Sequence, residues 1–222
     1  MKKQFIIFIF SIFICSTAFS QRPQFSLGTD LSILRSFKKE QRFFSVGQTV
    51  YFHFHFTPTD GGYAWFTYYA NGKFTNDVTA IAKSPVTAPQ QINYLNHAQM
   101  RLKQISLGWR HYLKGTFDSE TNWNLYGLAG FGLMMGTVTN IQSAIIDSNV
   151  YRIPVLGGNG KFKRLTFDLG LGVEFPVGGD LFLYFEGRAL IPTTDYPSLY
   201  LFINKNAPFT ATVNAGLRIL FY

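Results

Sequence analysis

The chain has 222 residues; 47% are hydrophobic and 18% aromatic, only 14% are charged, and the formal net charge is +8. That charge fraction lies well below the ~25% of an ordinary soluble domain, and with it a mean hydropathy of +0.07 excludes a disordered chain. After residue 20 no apolar run approaches the ~18 residues of a membrane-spanning helix. Apolar content that is high but never continuous points to strands.

Residues 1–20 read as a cleaved export signal. Lys2 and Lys3 give a positive start, Phe5 to Cys15 an apolar core broken only by Ser11, and Ala18-Phe19-Ser20 a cleavage site that makes Gln21 the mature N-terminus. Bulky Phe13 and Ile14 ahead of Cys15 argue against a lipid anchor there. Cys15 is the only cysteine, so residues 21–222 offer no disulfide and no thiolate metal site.

Residues 21–222 read as one domain of eight alternating segments, at 24–35, 42–57, 62–74, 100–114, 122–139, 162–177, 181–192 and 208–222; the third and fifth are the least regular. In the clearest, Leu165, Phe167, Leu169, Leu171, Val173, Phe175 and Val177 alternate with Thr166, Asp168, Gly170, Gly172 and Glu174. On a strand successive side chains point to opposite faces, so one face is wholly apolar. Each segment reaches the ~9–11 residues that a tilted strand needs to cross a bilayer. The connections 35–42, 75–99, 140–161 and 193–207 are long, and 58–61, 115–121 and 178–180 are short. Such sorting predicts an all-β, eight-stranded antiparallel up-and-down transmembrane barrel, with long loops outside and both termini periplasmic. Val177 and Leu181 must share the outward face, which predicts a three-residue loop Gly178-Gly179-Asp180 with a glycine at positive φ. That register sets Gly172 opposite Glu186 and Gly170 opposite Arg188.

The charges decide which face meets lipid. Asp30, Arg110, Asp168, Glu174, Glu186, Arg188 and Arg218 lie in mid-strand on the minority faces, among glycines such as Gly28, Gly108, Gly172 and Gly216. Small and charged residues suit the narrow lumen of eight strands, whereas the Leu/Phe/Val faces are too large for water. Tyr51, Tyr126 and Tyr184 point inward by parity. Enclosed charges must pair, so Asp168, Glu174, Glu186, Arg188 and Arg218 are expected to form a lumen network, with Arg188 diagonal to Asp168. Phe43, Phe44, Trp109, Trp123, Phe209, Phe221 and Tyr222 are expected to form interfacial girdles.

This pattern resembles the small Gram-negative outer-membrane barrels of the OmpA/OmpX type, in the broad outer-membrane β-barrel domain family. The resemblance covers residues 21–222. Its most specific piece is the C-terminus, where Asn214, Gly216, Ile219 and Phe221 resemble the family's assembly signal, with Tyr222 as an extra residue. An ordinary last strand would need no glycine at 216. The resemblance implies recognition by the barrel-assembly machinery and a place in the cell outer membrane.

The candidate reaction centres are weak. His53 and His55 share an inward face without a third ligand, so they read as lumen filling. His111 faces lipid with no serine two residues away, and His97 sits in a loop, so no triad assembles. Gly157-Gly158-Asn159-Gly160-Lys161 lacks the glycine and hydroxyl of a phosphate loop, and Gly130-Phe131-Gly132 lacks the third glycine of a dinucleotide fingerprint.

The sequence therefore predicts a non-enzymatic monomer with no cofactor and no nucleic-acid partner, acting structurally or by surface interaction. A narrow pore, a lipid A-modifying enzyme and a component of a protein-secretion machine are the alternatives. The positive excess falls on the expected outer rim, so Lys38, Lys39, Arg42, Lys161, Lys163 and Arg164 are expected to contact lipopolysaccharide or another polyanion.

Overall fold

The computed structural model describes residues 24–194, 199–201 and 209–222. The export signal expected at 1–20 lies outside the described residues, as does most of the expected loop 193–207. Among the described residues nine strands form: β1 Gln24–Ser36, β2 Phe44–His55, β3 Asp60–Ala82, β4 Gln91–Lys114, β5 Asn124–Gln142, β6 Tyr151–Arg152, β7 Gly158–Gly178, β8 Leu181–Pro192 and β9 Thr210–Phe221. All but β6 make one ring of antiparallel neighbours, which closes because β1 pairs with β2 on one edge and with β9 on the other. The two-residue β6 rides on the far end of β3.

Alternation does what the sequence predicts. The outward residues Leu165 to Val177 of β7 span about 40 Å of strand, or about 30 Å along the axis at a tilt near 40°. That matches the ~30 Å hydrocarbon layer. Thr29 and Gln48, polar side chains on this outward face, satisfy each other. Thr29 Oγ1 donates to the Thr49 carbonyl at 2.9 Å and accepts from Gln48 Nε2 at 3.4 Å. Phe44, Trp109, Trp123, Phe209, Phe221 and Tyr222 are exposed near strand ends. Phe43 is not: successive residues face opposite ways, and it is buried inside against Gly72 and Phe74.

The β7–β8 register is the one parity requires. Gly170 lies opposite Arg188 and Gly172 opposite Glu186, but the connection is not the expected three-residue loop: Gly178 pairs with Leu181, only Gly179 and Asp180 lie between the strands, and a shift between Pro176 and Gly178 keeps the parity, with Gly179 at φ +55°. Inward glycines face rings directly across the ladder. Gly28 lies opposite Tyr51, Gly108 opposite Tyr63, Gly172 opposite Tyr126 and Gly216 opposite Tyr184, and a Cβ at any of them would overlap the facing side chain. At Gly216 it would also strike the Thr29 carbonyl. Packing alone therefore demands a glycine at 216, contrary to the expectation that an ordinary last strand would not.

One end of the ring carries the connections 56–59, 115–123 and 179–180 together with Gln24 and Phe221. The other end differs from expectation. Residues 75–99 are not a loop: β3 and β4 pair from Ile81/Gln91 downward, so the loop shrinks to 83–90 and His97 lies on a strand. β5 and β7 extend alongside, and the four strands project beyond the apolar band. On β4 the polarity reverses without a change of register. Outward residues are Ile105, Leu107 and Trp109 below, but Asn93, His97, Gln99, Arg101 and Lys103 above, with Leu95 the apolar exception. Above the reversal, Tyr94, Ala98, Met100 and Leu102 point inward. On β3 the same outcome needs a bulge between Tyr69 and Gly72, with Asn71 at φ 61°, which switches the inward parity from odd to even. Val78 and Ala80 then pack with Tyr94 and Tyr151 in a small core inside the projecting arm.

A closed ring leaves no edge strand from which to unzip. Unheated protein in dodecyl sulfate gels should therefore migrate differently from boiled protein; identical mobility would contradict closure.

Candidate functional site

The interior is layered. At the short-turn end Glu174 of β7 sits between two arginines: Oε1 receives Arg218 Nε at 2.8 Å and its Nη2, and Oε2 pairs with Arg110. Arg218 also donates to Ser26 Oγ and to the Phe117 carbonyl, each at 2.7 Å. Arg110 donates to His53 Nδ1 at 3.0 Å and lies 3.6 Å from the centre of the Tyr126 ring. The segment 115–123 tucks Phe117 into this end, stacked on His55, whose Nε2 shares a 2.7 Å hydrogen bond with Ser26.

The middle layer holds Arg188, paired with Glu186 and 3.7 Å from Asp30. Tyr184 donates to Asp30 at 2.7 Å and Tyr126 to Glu186 at 2.9 Å. Asp168 departs from the expected diagonal pair. It accepts from Gln104 at 3.1 Å, from Thr166 at 2.7 Å and from Ser106, and among the described residues it makes no ion pair. The expected network is therefore two ion clusters, Glu174–Arg110–Arg218 and Asp30–Arg188–Glu186, plus a hydrogen-bonded carboxylate. Asp30 and Arg110, inward by parity, complete these clusters. Toward the long-loop end Leu34, Leu102, Met134, Phe162, Leu190 and Leu201 are buried together, with Ser45, Arg164, Thr210 and Thr212 beside them on the ladder.

The six rim cations do not form one patch. Arg164 is 5% exposed and faces the lumen, its guanidinium 4.9 Å from the Phe162 ring. Its even position on β7, shared with Thr166 and Asp168, requires this. Lys38, Lys39 and Arg42 flank β1 and β2, whereas Lys161 and Lys163 lie on β7, across the ring. Beside the latter pair, on β4, stand Arg101 and Lys103. In the C-terminal strand Asn214 and Gly216 point inward, while Ile219 and Phe221 point outward, Phe221 stacking on Phe25 at 5.0 Å. At the opposite rim Asp60 accepts from Trp109 Nε1 at 2.9 Å and from His111 Nδ1 at 2.8 Å.

A closed antiparallel ring of eight strands, apolar outside and filled with paired charges inside, is the fold of small outer-membrane β-barrel proteins. No family model matches the sequence, and no curated protein matches it. Solved structures do match. Neisserial surface protein A superposes with a TM-score of 0.57 at 13% identity, over 89% of this chain and 97% of that one. A major outer membrane protein from Thermus thermophilus gives 0.55 at 10% identity, over 90% and 100%. Ail, the attachment invasion locus protein of Yersinia pestis, gives 0.52 at 11%, over 90% and 100%. At such identities the likeness is one of fold.

Removing one partner from a buried ion cluster leaves uncompensated charge. Glu174→Ala strands Arg110 and Arg218 and should lower stability by about 3–5 kcal/mol in urea unfolding from lipid vesicles. Lys161→Gln, on the exposed exterior, should stay within about 0.5 kcal/mol of the parent. Equal midpoints for the two variants would contradict the assignment.

Proposed function

We propose that the protein is a plugged, non-catalytic barrel of the outer membrane that holds a rigid arm at the cell surface. The observation that carries this reading is the reversal of outward polarity at Lys103 and Lys163, above which β3 and β4 continue, flanked by β5 and β7, with a mostly polar exterior and a small core shared with β6. A barrel built only to cross the membrane would end there. The filled lumen supports a structural or interactive role over conduction: buried tyrosines and arginines occupy the middle, and large apolar side chains gather toward the long-loop end.

In this proposal the short-turn end and both termini face the periplasm, and the long-loop end faces outward. Residues 1–20 direct export, and Asn214, Gly216, Ile219 and Phe221 present the last strand to the barrel-assembly machinery. The barrel acts as a monomer without a cofactor. Its surroundings are outer-membrane lipid and lipopolysaccharide, and its basic rim meets polyanions there. Ail, on the same fold, has been crystallised with the heparin analogue sucrose octasulfate.

Orientation and location are tested together by labelling single cysteines on intact cells with a membrane-impermeant maleimide. Val86→Cys, in the exposed loop 83–90, should label directly, and Glu120→Cys, in the segment 115–123, only after the outer membrane is opened. The reverse pattern would overturn the orientation, and direct labelling of neither would overturn surface exposure of the arm.

A further inference from the structure

The outer wall of the barrel carries a cationic trough. On β4, β5 and β7 the ladder aligns Arg101 with Thr137 and Thr137 with Lys161; two residues nearer the turn end it aligns Lys103 with Met135 and Met135 with Lys163. With strands about 4.8 Å apart and about 3.3 Å of rise per residue, the four cations stand at the corners of a rectangle about 10 Å by 7 Å. Thr137 and Met135 on the middle strand form its floor and are only partly exposed, whereas all four flanking cations are exposed. The resulting concavity measures about 500 Å³ and includes Tyr68, whose ring lies 5.9 Å from Lys103 Nζ.

Three features show what chemistry this trough fits. The four like charges repel one another, and none of the ion pairs among the described residues involves them. The row directly below, Ile105, Leu133 and Leu165, is apolar and outward, so the trough opens onto the lipid-facing wall. The row above is closed by neutral polar contacts, Gln99 Nε2 to Asn71 at 2.7 Å and Thr139 Oγ1 to Asn159 at 2.7 Å. A soluble anion would use the cations and ignore the apolar wall. A ligand with phosphates at the level of the cations and acyl chains running down the wall uses both.

We propose that Arg101, Lys103, Lys161 and Lys163 form a binding site on the barrel's outer wall for the headgroup of a lipid carrying more than one phosphate, with its acyl chains along Ile105, Leu133 and Leu165. The proposal rests on the outward orientation and rim-polyanion reading above, and it moves the contact from the loops to the wall. Each cation near a membrane surface strengthens such binding about five-fold, so removing all four weakens it at least about 100-fold.

The test uses the detergent-solubilised barrel and fluorescently labelled lipid A, followed by anisotropy, with gel heat-modifiability checking the fold of each variant. The parent should bind lipid A, and bind a phosphate-free lipid A at least about ten-fold more weakly. R101Q/K103Q/K161Q/K163Q should lose at least about 100-fold. K38Q/K39Q/R42Q, across the ring, should stay within about two-fold. If the quadruple variant does not fold, R101Q/K103Q and K161Q/K163Q separately should each lose roughly 25-fold. A loss confined to K38Q/K39Q/R42Q would overturn the wall site and leave the rim-polyanion reading standing. No binding by the parent would overturn both. Equal affinity for phosphate-free lipid A would overturn the phosphate assignment. Displacement by inorganic phosphate, beyond the effect of sodium chloride at equal ionic strength, would mean a soluble-anion site and overturn the lipid assignment.

Discussion

In hydrocarbon every backbone N–H and C=O must find its partner within the protein, and for a sheet the only solution is closure. The β1–β9 ladder supplies it here, twelve residue pairs from Phe25/Phe221 to Ser36/Thr210. Once the ring is closed, each strand has one face toward lipid and one toward a lumen too narrow for much beyond side chains. The outward face must be apolar. The inward face must fill space and leave no charge alone. Glycines opposite Tyr51, Tyr63, Tyr126 and Tyr184 show how the space is shared: one strand gives up its side chain so that the neighbour's ring can lie over it.

The interior charges balance. Among the described residues the buried ionisable acids are Asp30, Asp168, Glu174 and Glu186, and the buried strong bases are Arg110, Arg164, Arg188 and Arg218, four against four. All four bases are arginine, whose planar fork bonds two partners at once and stacks on rings. Arg110 on Tyr126, Arg188 on Trp65 and Arg218 on Phe182 do both. Such clusters add little net stability relative to an apolar core, but losing one member is costly. They tie together strands that are not neighbours in the ring, β7 to β4 and β9, and β8 to β1.

Much of this was legible in the sequence, because period-two alternation is a direct consequence of strand geometry. Eight segments, the direction of the apolar face, the tyrosines of the lumen and the β7–β8 register all follow from parity. What was missed has physical reasons. Residues 75–99 read as a loop because, beyond the bilayer, water lies outside and the apolar side chains turn inward, so the pattern no longer looks like a membrane strand. The bulge at Asn71 hid it further by switching the parity of β3. Arg164 and Phe43 lie near strand ends, a position that suggests the rim, but strand parity turns both inward. The glycine–tyrosine pairs and the Arg101–Lys103–Lys161–Lys163 rectangle needed the ladder itself, since their members are far apart in the chain.

The central claim is that the outward face of one continuous strand passes from lipid to water between Ile105 and Lys103 while its inward face stays packed throughout. Cys15 is the only cysteine of the chain, so single cysteines placed along β4 can be spin-labelled without interference in the barrel. In lipid nanodiscs, labels at 105, 107 and 109 should be relaxed by oxygen and labels at 97, 99 and 101 by a water-soluble nickel chelate. Labels at 104 and 106 should respond weakly to both. Oxygen-dominated relaxation at 97 and 99, or strong nickel relaxation at 104 and 106, would contradict the membrane boundary and the filled lumen respectively.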